Sequence, residues 1–364
     1  MIKIASIVGA RPQFIKAAVV SSNLRVHPNI EETLIHTGQH YSQTMSDIFF
    51  DQLDIPKPDL NIGVGKASPA TQIGTILVEL DRVLRSESFD WVLVYGDTSS
   101  TLAGALAAVK AGIPLAHVEA GLRSFNRQMP EEINRLISDH LADLLFTPTE
   151  TADVNLQNEG IPSEKISRVG DVMYDSVLYY REKARTGSRI LKTLGLSPKG
   201  YLLCTVHRAE NTDNSQNLKA ILQGLERASR EIEVIIPLHP RTRAAIDELH
   251  VSSGLSTLRI IDPVSYLDML QLEANARVIA TDSGGVQKEA FFLGVPCIIL
   301  RRETEWVELV HEGWSRLANP NDAEAVFRAI MRAMSEPPPG SFNTSLYGDG
   351  HAAEKIRDVL LKAG

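Results

Sequence analysis

Cysteine is nearly absent: two thiols, Cys204 and Cys297, in 364 residues. Each sits in an apolar, strand-like run without a CxxC partner, so a disulfide framework or a cysteine-built zinc site has no basis and both read as core packing. Basic charge is also in deficit, with Lys+Arg at 37 against Asp+Glu at 45 and a formal net charge of -8. Bulk affinity for nucleic acid or an anionic membrane needs clustered cations, which this balance does not supply. No apolar run approaches the ~20 residues of a membrane span, and the apolar part of the opening Met1-Ile2-Lys3-Ile4-Ala5-Ser6-Ile7-Val8 is too short for a secretory signal. The expectation is a soluble, cytoplasmic protein that meets neither nucleic acid nor membrane. The ten histidines lack metal-ligand spacing, so no metal is implied. The first strand-to-helix turn, Gly9-Ala10-Arg11-Pro12, lacks the GxGxxG spacing that seats a dinucleotide pyrophosphate, which argues against NAD.

What is present is a repeated layout. Trp91-Val92-Leu93-Val94-Tyr95 runs into Gly96-Asp97-Thr98, an Ala/Leu-rich helix, then Ala111-Gly112-Ile113-Pro114 and Leu115-Ala116-His117-Val118. Arg277-Val278-Ile279-Ala280 runs into Thr281-Asp282-Ser283-Gly284-Gly285, a helix, then Leu293-Gly294-Val295-Pro296 and Cys297-Ile298-Ile299-Leu300. Strand, polar turn, helix, Gly, Pro and buried strand spell a βαβ unit of a parallel sheet. Two such units half a chain apart, in a chain of this length, predict an α/β protein of two Rossmann-like doubly wound domains facing a cleft. Strands are expected at 2–8, 31–36, 91–95 and 144–146, with helices from Pro12 and from about Ser42. The second half adds strands at 201–206, 233–237, 258–261, 277–280 and 297–300. The predicted domains are 1–168 and 169–349, after the turn Gly160-Ile161-Pro162. The stretch Glu336-Pro337-Pro338-Pro339-Gly340 is linker-like, and an amphipathic helix within 350–364 is expected to return to the first domain.

Ligands of open α/β sheets bind outside the carboxyl ends of the strands. There the first domain places Arg11 and Lys16, a basic pair, and then the acids Asp97, Glu119 and Glu131-Glu132. Asp97 also fits a helix cap and the Glu pair fits first-turn acids, whereas a carboxylate closing an apolar strand, as Glu119 does, is costly unless paired or used. In the second domain Ser283-Gly284-Gly285 opens a helix whose free N–H groups suit a phosphate, with Glu289 one turn on for ribose hydroxyls. Val206-His207-Arg208-Ala209-Glu210-Asn211 follows another strand. Cations and amides on one side with carboxylates on the other suggest acid/base work on a nucleotide sugar.

Gly9-Ala10-Arg11-Pro12 with Lys16, Tyr95-Gly96-Asp97-Thr98, the 117–123 stretch, Pro130-Glu131-Glu132-Ile133-Asn134-Arg135, His207-Arg208, His239-Pro240-Arg241 and the 282–289 stretch together resemble the non-hydrolysing UDP-N-acetylglucosamine 2-epimerases, in the family's order and over nearly the whole chain. The resemblance implies a glycosyltransferase-B-like pair of domains, usually a homodimer, that interconverts UDP-GlcNAc and UDP-ManNAc without NAD or metal. By the same resemblance Asp97, Glu119 and Glu131 match catalytic carboxylates, and Arg11, Lys16, His207, Ser283, Gly284, Gly285 and Glu289 match UDP-contacting positions, with His207 also a catalytic candidate. Gln39, His40, Arg208 and His239 are candidates for the effector pocket that some relatives have. Where many members carry Thr-Glu-Arg-Pro-Glu, this chain has Thr304-Glu305-Trp306-Val307-Glu308, closer to the branch that epimerises UDP-2,3-diacetamido-2,3-dideoxy-glucuronate. An acidic C6 would want a further cation, for which Arg123, Arg127, Arg301 and Arg302 are candidates. A glycosyltransferase of the same fold, a hydrolysing relative and a non-catalytic nucleotide-sugar sensor stay open as rivals.

Overall fold

The computed structural model describes residues 1–39, 56–65, 67–238, 240–248, 255–336 and 343–364. The helix expected from about Ser42 and the candidates His40 and His239 lie outside them. Two compact units divide the chain, 1–176 with 344–364 and 177–343.

The first unit holds a parallel sheet of β1 (Ile2–Val8), β2 (Ile30–His36), β3 (Leu60–Asn61), β4 (Trp91–Tyr95), β5 (Leu115–Val118), β6 (Leu144–Thr147) and β7 (Ile166–Arg168), in spatial order 3-2-1-4-5-6-7. Its helices are α1 (Arg11–Arg25), α2 (Pro69–Ser86), α3 (Ser99–Ala111), α4 (Pro130–Leu141) and α5 (Glu150–Asn158). β4 is buried at all five positions, as a central parallel strand covered by helices on both faces must be. Ile76, Leu80 and Leu84 of α2 and Ala103 and Ala107 of α3 share one core with Ile7, Val92 and Val94. Gly112 ends α3 at φ +72 and turns its N–H back to Ala108, a left-handed cap that favours glycine.

The domain break expected at 168/169 moves to 176/177. β7 belongs to the first sheet, with Leu145 opposite Ile166, and Asp171 N donates to Tyr347 O at 2.8 Å. Helix α6 (Val172–Gly187) runs across the division.

The second unit holds β8 (Tyr201–Thr205), β9 (Glu233–Pro237), β10 (Arg259–Ile261), β11 (Val278–Thr281), β12 (Cys297–Ile299) and β13 (Ser315–Leu317), all parallel, in order 10-9-8-11-12-13. Around it lie α7 (Ile190–Leu194), α8 (Ala209–Thr212), α9 (Ser215–Ala228), α10 (Pro240–Glu248), α11 (Tyr266–Asn275), α12 (Gly284–Phe292), α13 (Val307–His311) and α14 (Ala323–Ser335). Leu218, Ile221 and Leu225 of α9 and Val326 and Ile330 of α14 pack in one core with Leu202, Cys204, Ala280 and Ile298. Both cysteines are buried and free, and burial pushes both thiols above their ordinary range. The last helix, α15 (Ala352–Ala363), belongs to the first unit and packs on α1.

In each sheet the strand order reverses once, between β1 and β4 and between β8 and β11. Such a reversal opens a crevice outside the carboxyl ends of its two strands.

Candidate active site

At the first reversal the turn after β1 is tied down from within. Gln13 Oε1 accepts the N–H groups of Gly9 (2.8 Å) and Ala10 (3.0 Å), and its Nε2 donates to Tyr95 O (2.8 Å) and Thr101 Oγ1 (3.0 Å). The N–H groups of Gly9 and Ala10 are therefore satisfied by this carboxamide. One turn into α1, the Lys16 ammonium is bonded to the Glu119 carboxylate, and both residues are buried, at 8% and 7% exposure. The pair lies over the β4 turn, since a Cβ placed on Gly96 would be 3.2 Å from Glu119 Oε2 and 3.6 Å from Lys16 Nζ. Glu119 itself has φ +69, a left-handed conformation that costs a non-glycine residue on the order of 1–3 kcal/mol and persists only where its surroundings impose it.

Asp97 is not the cap of α3; Thr98 is. Its Oδ2 instead accepts Arg135 Nη2 (2.6 Å) and Nε (3.0 Å), and its carbonyl accepts Asn134 Nδ2 at 2.8 Å. Helix α4 that supplies both is inverted: Glu132, Asn134, Arg135, Ser138 and Asp139 are buried while Ile133 and Ile137 are exposed. The adjacent glutamates separate accordingly. Glu132 accepts Ser124 N and Oγ and Phe125 N, each at 2.9 Å, and Arg135 Nη1 at 2.8 Å. Burial pushes its carboxyl up, and the Ser124 donors, Arg135 and the Phe125 N–H more than offset this to hold it below the usual range. Glu131 is half-buried in the first turn and makes no side-chain hydrogen bond or ion pair among the described residues.

Behind these turns His117, fully buried on β5, sits 2.7 Å from both Gly96 O and Asp139 Oδ1. Asp139 Oδ2 accepts Arg123 Nη1 at 2.7 Å and Gly121 N at 3.1 Å, and Arg123 also forks onto Glu159 at 2.7 Å. Burial raises the Asp139 carboxyl, but His117 and Arg123 hold it below the ordinary value.

At the second reversal buried Asp282 accepts the N–H groups of His207 and Arg208 (both 3.1 Å) and Asn211 Nδ2 (3.0 Å). This rivets the turn after β8 to the end of β11 and leaves the His207 side chain 50% exposed. Ser283 caps α12, with Oγ accepting Val286 N at 3.4 Å. The N–H groups of Gly284 and Gly285 meet no acceptor among the described residues, and both glycines are half-exposed. Glu289 is buried one turn on; burial, with the charges of Glu289 and Glu273 added, holds the Tyr266 phenol well above its usual value. Beside the cap, Glu305 Oε2 accepts Arg301 Nη1 at 2.8 Å, Arg208 Nη2 lies 3.5 Å from Glu305 Oε1, and Lys288 Nζ stands 4.1 Å over the Trp306 ring.

The structure thus brings Lys16, Asp97 and Glu119 to one reversal and His207, Ser283, Gly284, Gly285 and Glu289 to the other, while Glu131 stands in the first turn of α4, the helix whose Arg135 holds Asp97. The backbone of Arg11 opens α1. Of the effector candidates, Gln39 is engaged at the start of α3, where its Oε1 accepts Ser100 N (3.0 Å) and Oγ (2.6 Å), and Arg208 lies in the other unit. Arg123 and Arg301 are buried in ion pairs, whereas Arg127 and Arg302 are exposed. Sequence reasoning assigned no role to Gln13, His117, Arg135, Asp139 or Asp282. For two of them a signal existed: Arg135 and Asp139 repeat with Glu132 at helical spacing on one face of α4, while the isoleucines fall on the other. No group of three or more His, Cys, Asp or Glu among the described residues is arranged to hold a metal, and no described helix is long and apolar enough to cross a membrane.

The family model for UDP-N-acetylglucosamine 2-epimerase matches residues 22–361. The chain belongs to the UDP-N-acetylglucosamine 2-epimerase family. It is 50% identical to a UDP-N-acetylglucosamine 2-epimerase homolog of Methanococcus maripaludis, over 98% of this chain and 99% of that protein. It is 45% identical to the UDP-2,3-diacetamido-2,3-dideoxy-D-glucuronate 2-epimerase of Pseudomonas aeruginosa, over 99% of each. The crystal structure of Methanocaldococcus jannaschii UDP-GlcNAc 2-epimerase in complex with UDP-GlcNAc and UDP superposes with a TM-score of 0.91 at 40% identity, covering 99% of this chain and 100% of that one.

Proposed function

We propose that this epimerase inverts C2 of a UDP-linked 2-acetamido sugar, interconverting UDP-GlcNAc and UDP-ManNAc. The observation that carries the reading is the division of labour between the reversals: anchored carboxylates at one, and an open helix N-terminus with two glycine N–H groups at the other. The C2 proton has no neighbouring carbonyl to acidify it, so the C1–O bond breaks first, its electron pair leaving on UDP. A base then takes the C2 proton, forming the C1=C2 bond of a 2-acetamidoglucal. Protonation of C2 on the opposite face and return of UDP to C1 complete the inversion. In this reading Ser283, Gly284 and Gly285 hold the departing diphosphate, with Arg11 and His207 assisting, and Glu289 accepts the ribose hydroxyls. Glu119 and Glu131 exchange the proton, and Asp97, held by Arg135, stabilises positive charge on the ring. Lys16 serves two partners: Glu119 before binding and the diphosphate after it. The route needs neither NAD nor metal, and the satisfaction of the Gly9 and Ala10 donors by Gln13 supports the first omission.

The test is incubation of purified protein with UDP-GlcNAc alone in heavy water. Deuterium at C2 with appearance of the manno isomer is expected. An inert nucleotide sugar would favour a glycosyltransferase or a sensor, and stoichiometric free sugar and UDP a hydrolase. A second reading, the same chemistry on UDP-2,3-diacetamido-2,3-dideoxy-glucuronate, is supported by the Pseudomonas relative and by Trp306 with its buried Lys288 partner. Side-by-side turnover of the two sugars decides between them.

A further inference from the structure

The two candidate carboxylates Asp97 and Glu119 belong to different strand ends, and one side chain joins those ends. His117 Nε2 faces Gly96 O, the carbonyl immediately before Asp97, and His117 Nδ1 faces Asp139 Oδ1, each at 2.7 Å. A backbone carbonyl and an ionised carboxylate both only accept, so both contacts are hydrogen bonds when each ring nitrogen carries a proton. Asp139 passes the connection onward, accepting Gly121 N (3.1 Å) and Arg123 Nη1 (2.7 Å) through its other oxygen. Gly121 stands two residues after Glu119, so the left-handed turn at φ +69 is anchored by Glu119 N on Phe146 O (3.0 Å) and by the Asp139–Gly121 bond. His117 and Asp139 are 0% and 1% exposed and touch no solvent, so neither is placed to meet a substrate.

We propose that His117 is a positioning residue: a doubly protonated imidazolium that, with Asp139, locks the turns of Asp97 and Glu119 in one relative geometry for proton transfer. The kinetic part of this inference rests on the epimerase reading above; the protonation part does not. A buried imidazolium flanked by Asp139⁻ is compensated, and the Arg123–Glu159 pair beyond it leaves the four-residue network with balanced charge.

The test has three arms. In histidine-selective ¹⁵N NMR of the intact wild-type protein, the His117 ring, identified by the resonance that shifts in Asp139→Asn, is expected to show two N–H protons. A ring with one N–H overturns the proposal. In solvent-deuterium exchange, folded His117→Asn and Asp139→Asn are expected to lose about 10²-fold in kcat with KM little changed, as for a sub-ångström misplacement of reacting groups; kcat at the wild-type level in either folded variant overturns it. Should His117→Asn not fold, His117→Gln and the Asp139→Asn arm carry the same comparison. Glu119→Gln run alongside separates the two readings: if it still exchanges the C2 hydrogen, the role of Glu119 fails, whereas a dead Glu119→Gln with a fully active His117→Asn sinks the positioning role alone.

Discussion

The two strand-order reversals are built oppositely. In the first unit the charged groups answer one another, all buried except half-buried Asp97 and Glu159: Lys16 with Glu119, Arg135 with Asp97 and Glu132, Arg123 with Asp139 and Glu159. In the second unit buried Asp282 is consumed in holding backbone N–H groups, buried Glu305 pairs with Arg301, and the helix start beside them keeps its own N–H groups open. The difference matches the roles proposed for the two halves. Acids that move protons must stand at fixed positions with controlled charge, which takes partners; a surface that grips a diphosphate must keep its donors unspent until the ligand arrives.

The strongest way to break this contrast is to remove a proton carrier from the first side. Glu119→Gln and Glu131→Gln are each expected to cost about 10²–10⁴-fold in C2 exchange, with the affinity for UDP, read by calorimetry, near wild type in Glu131→Gln; strong exchange in either variant removes that residue from the mechanism. Next in size is Arg135→Met, which removes the cation shared by Asp97 and Glu132 and leaves Glu132 only its Ser124 and Phe125 donors. Breaking a buried pair costs about 3–5 kcal/mol, so a large drop in thermal midpoint with loss of turnover is expected, and an unchanged midpoint would show the pairs to be dispensable. On the second side, a Cβ at Gly284 would stand 2.7 Å from Glu305 Oε1. Gly284→Ala is therefore expected to weaken UDP binding about tenfold, the worth of one imperfect hydrogen bond, with the first unit's stability unaffected. Unaltered affinity would detach α12 from the ligand.

The smallest effect sharpens the rule that buried acids need cations. Asp175 Oδ2 accepts Ala353 N at 2.8 Å at the start of α15, yet burial, despite the Ala353 and Ala352 N–H donors, raises its carboxyl from 3.8 to about 6. A raised carboxyl favours the protonated folded state, so this contribution is fully present below about pH 4 and is lost as pH rises through about 6, by up to a few kcal/mol. Asp175→Asn keeps an acceptor for Ala353 without the charge. It is expected to match wild type near pH 4 and to be the more stable protein at pH 8 in denaturant titrations; equal stability at pH 8 would contradict the shift.

Much of the fold was legible because central parallel strands are written plainly. The runs at 91–95, 201–206 and 277–280 are apolar on both faces and bounded by polar turns, and each forms a strand within a residue or two of its expected limits. The edge strands β3, β7 and β13 were not anticipated: they have two or three residues and mixed polarity, so no periodicity can develop. The candidate acids were legible by position, at the ends of strands. Their partners were not, because Arg135 lies 38 residues from Asp97 and Lys16 lies 103 residues from Glu119, and nothing local marks which charge will meet which.

The order of apolar runs, polar turns and helix stops determined, without reference to any contact, that this chain makes two doubly wound sheets, and pointed to the turns after the strands as the place for candidate residues. Periodicity is a short-range property, and so it is carried by neighbours in the chain. Only the tertiary structure decided that Glu132 is spent on bracing a loop while Glu131 is left available, that Gln13 ties the turn after β1 to Tyr95 and Thr101, and that His117 joins the turns of Asp97 and Glu119. Those choices depend on burial and on donors matched to acceptors across tens of residues, quantities that exist only once the strands have been laid side by side.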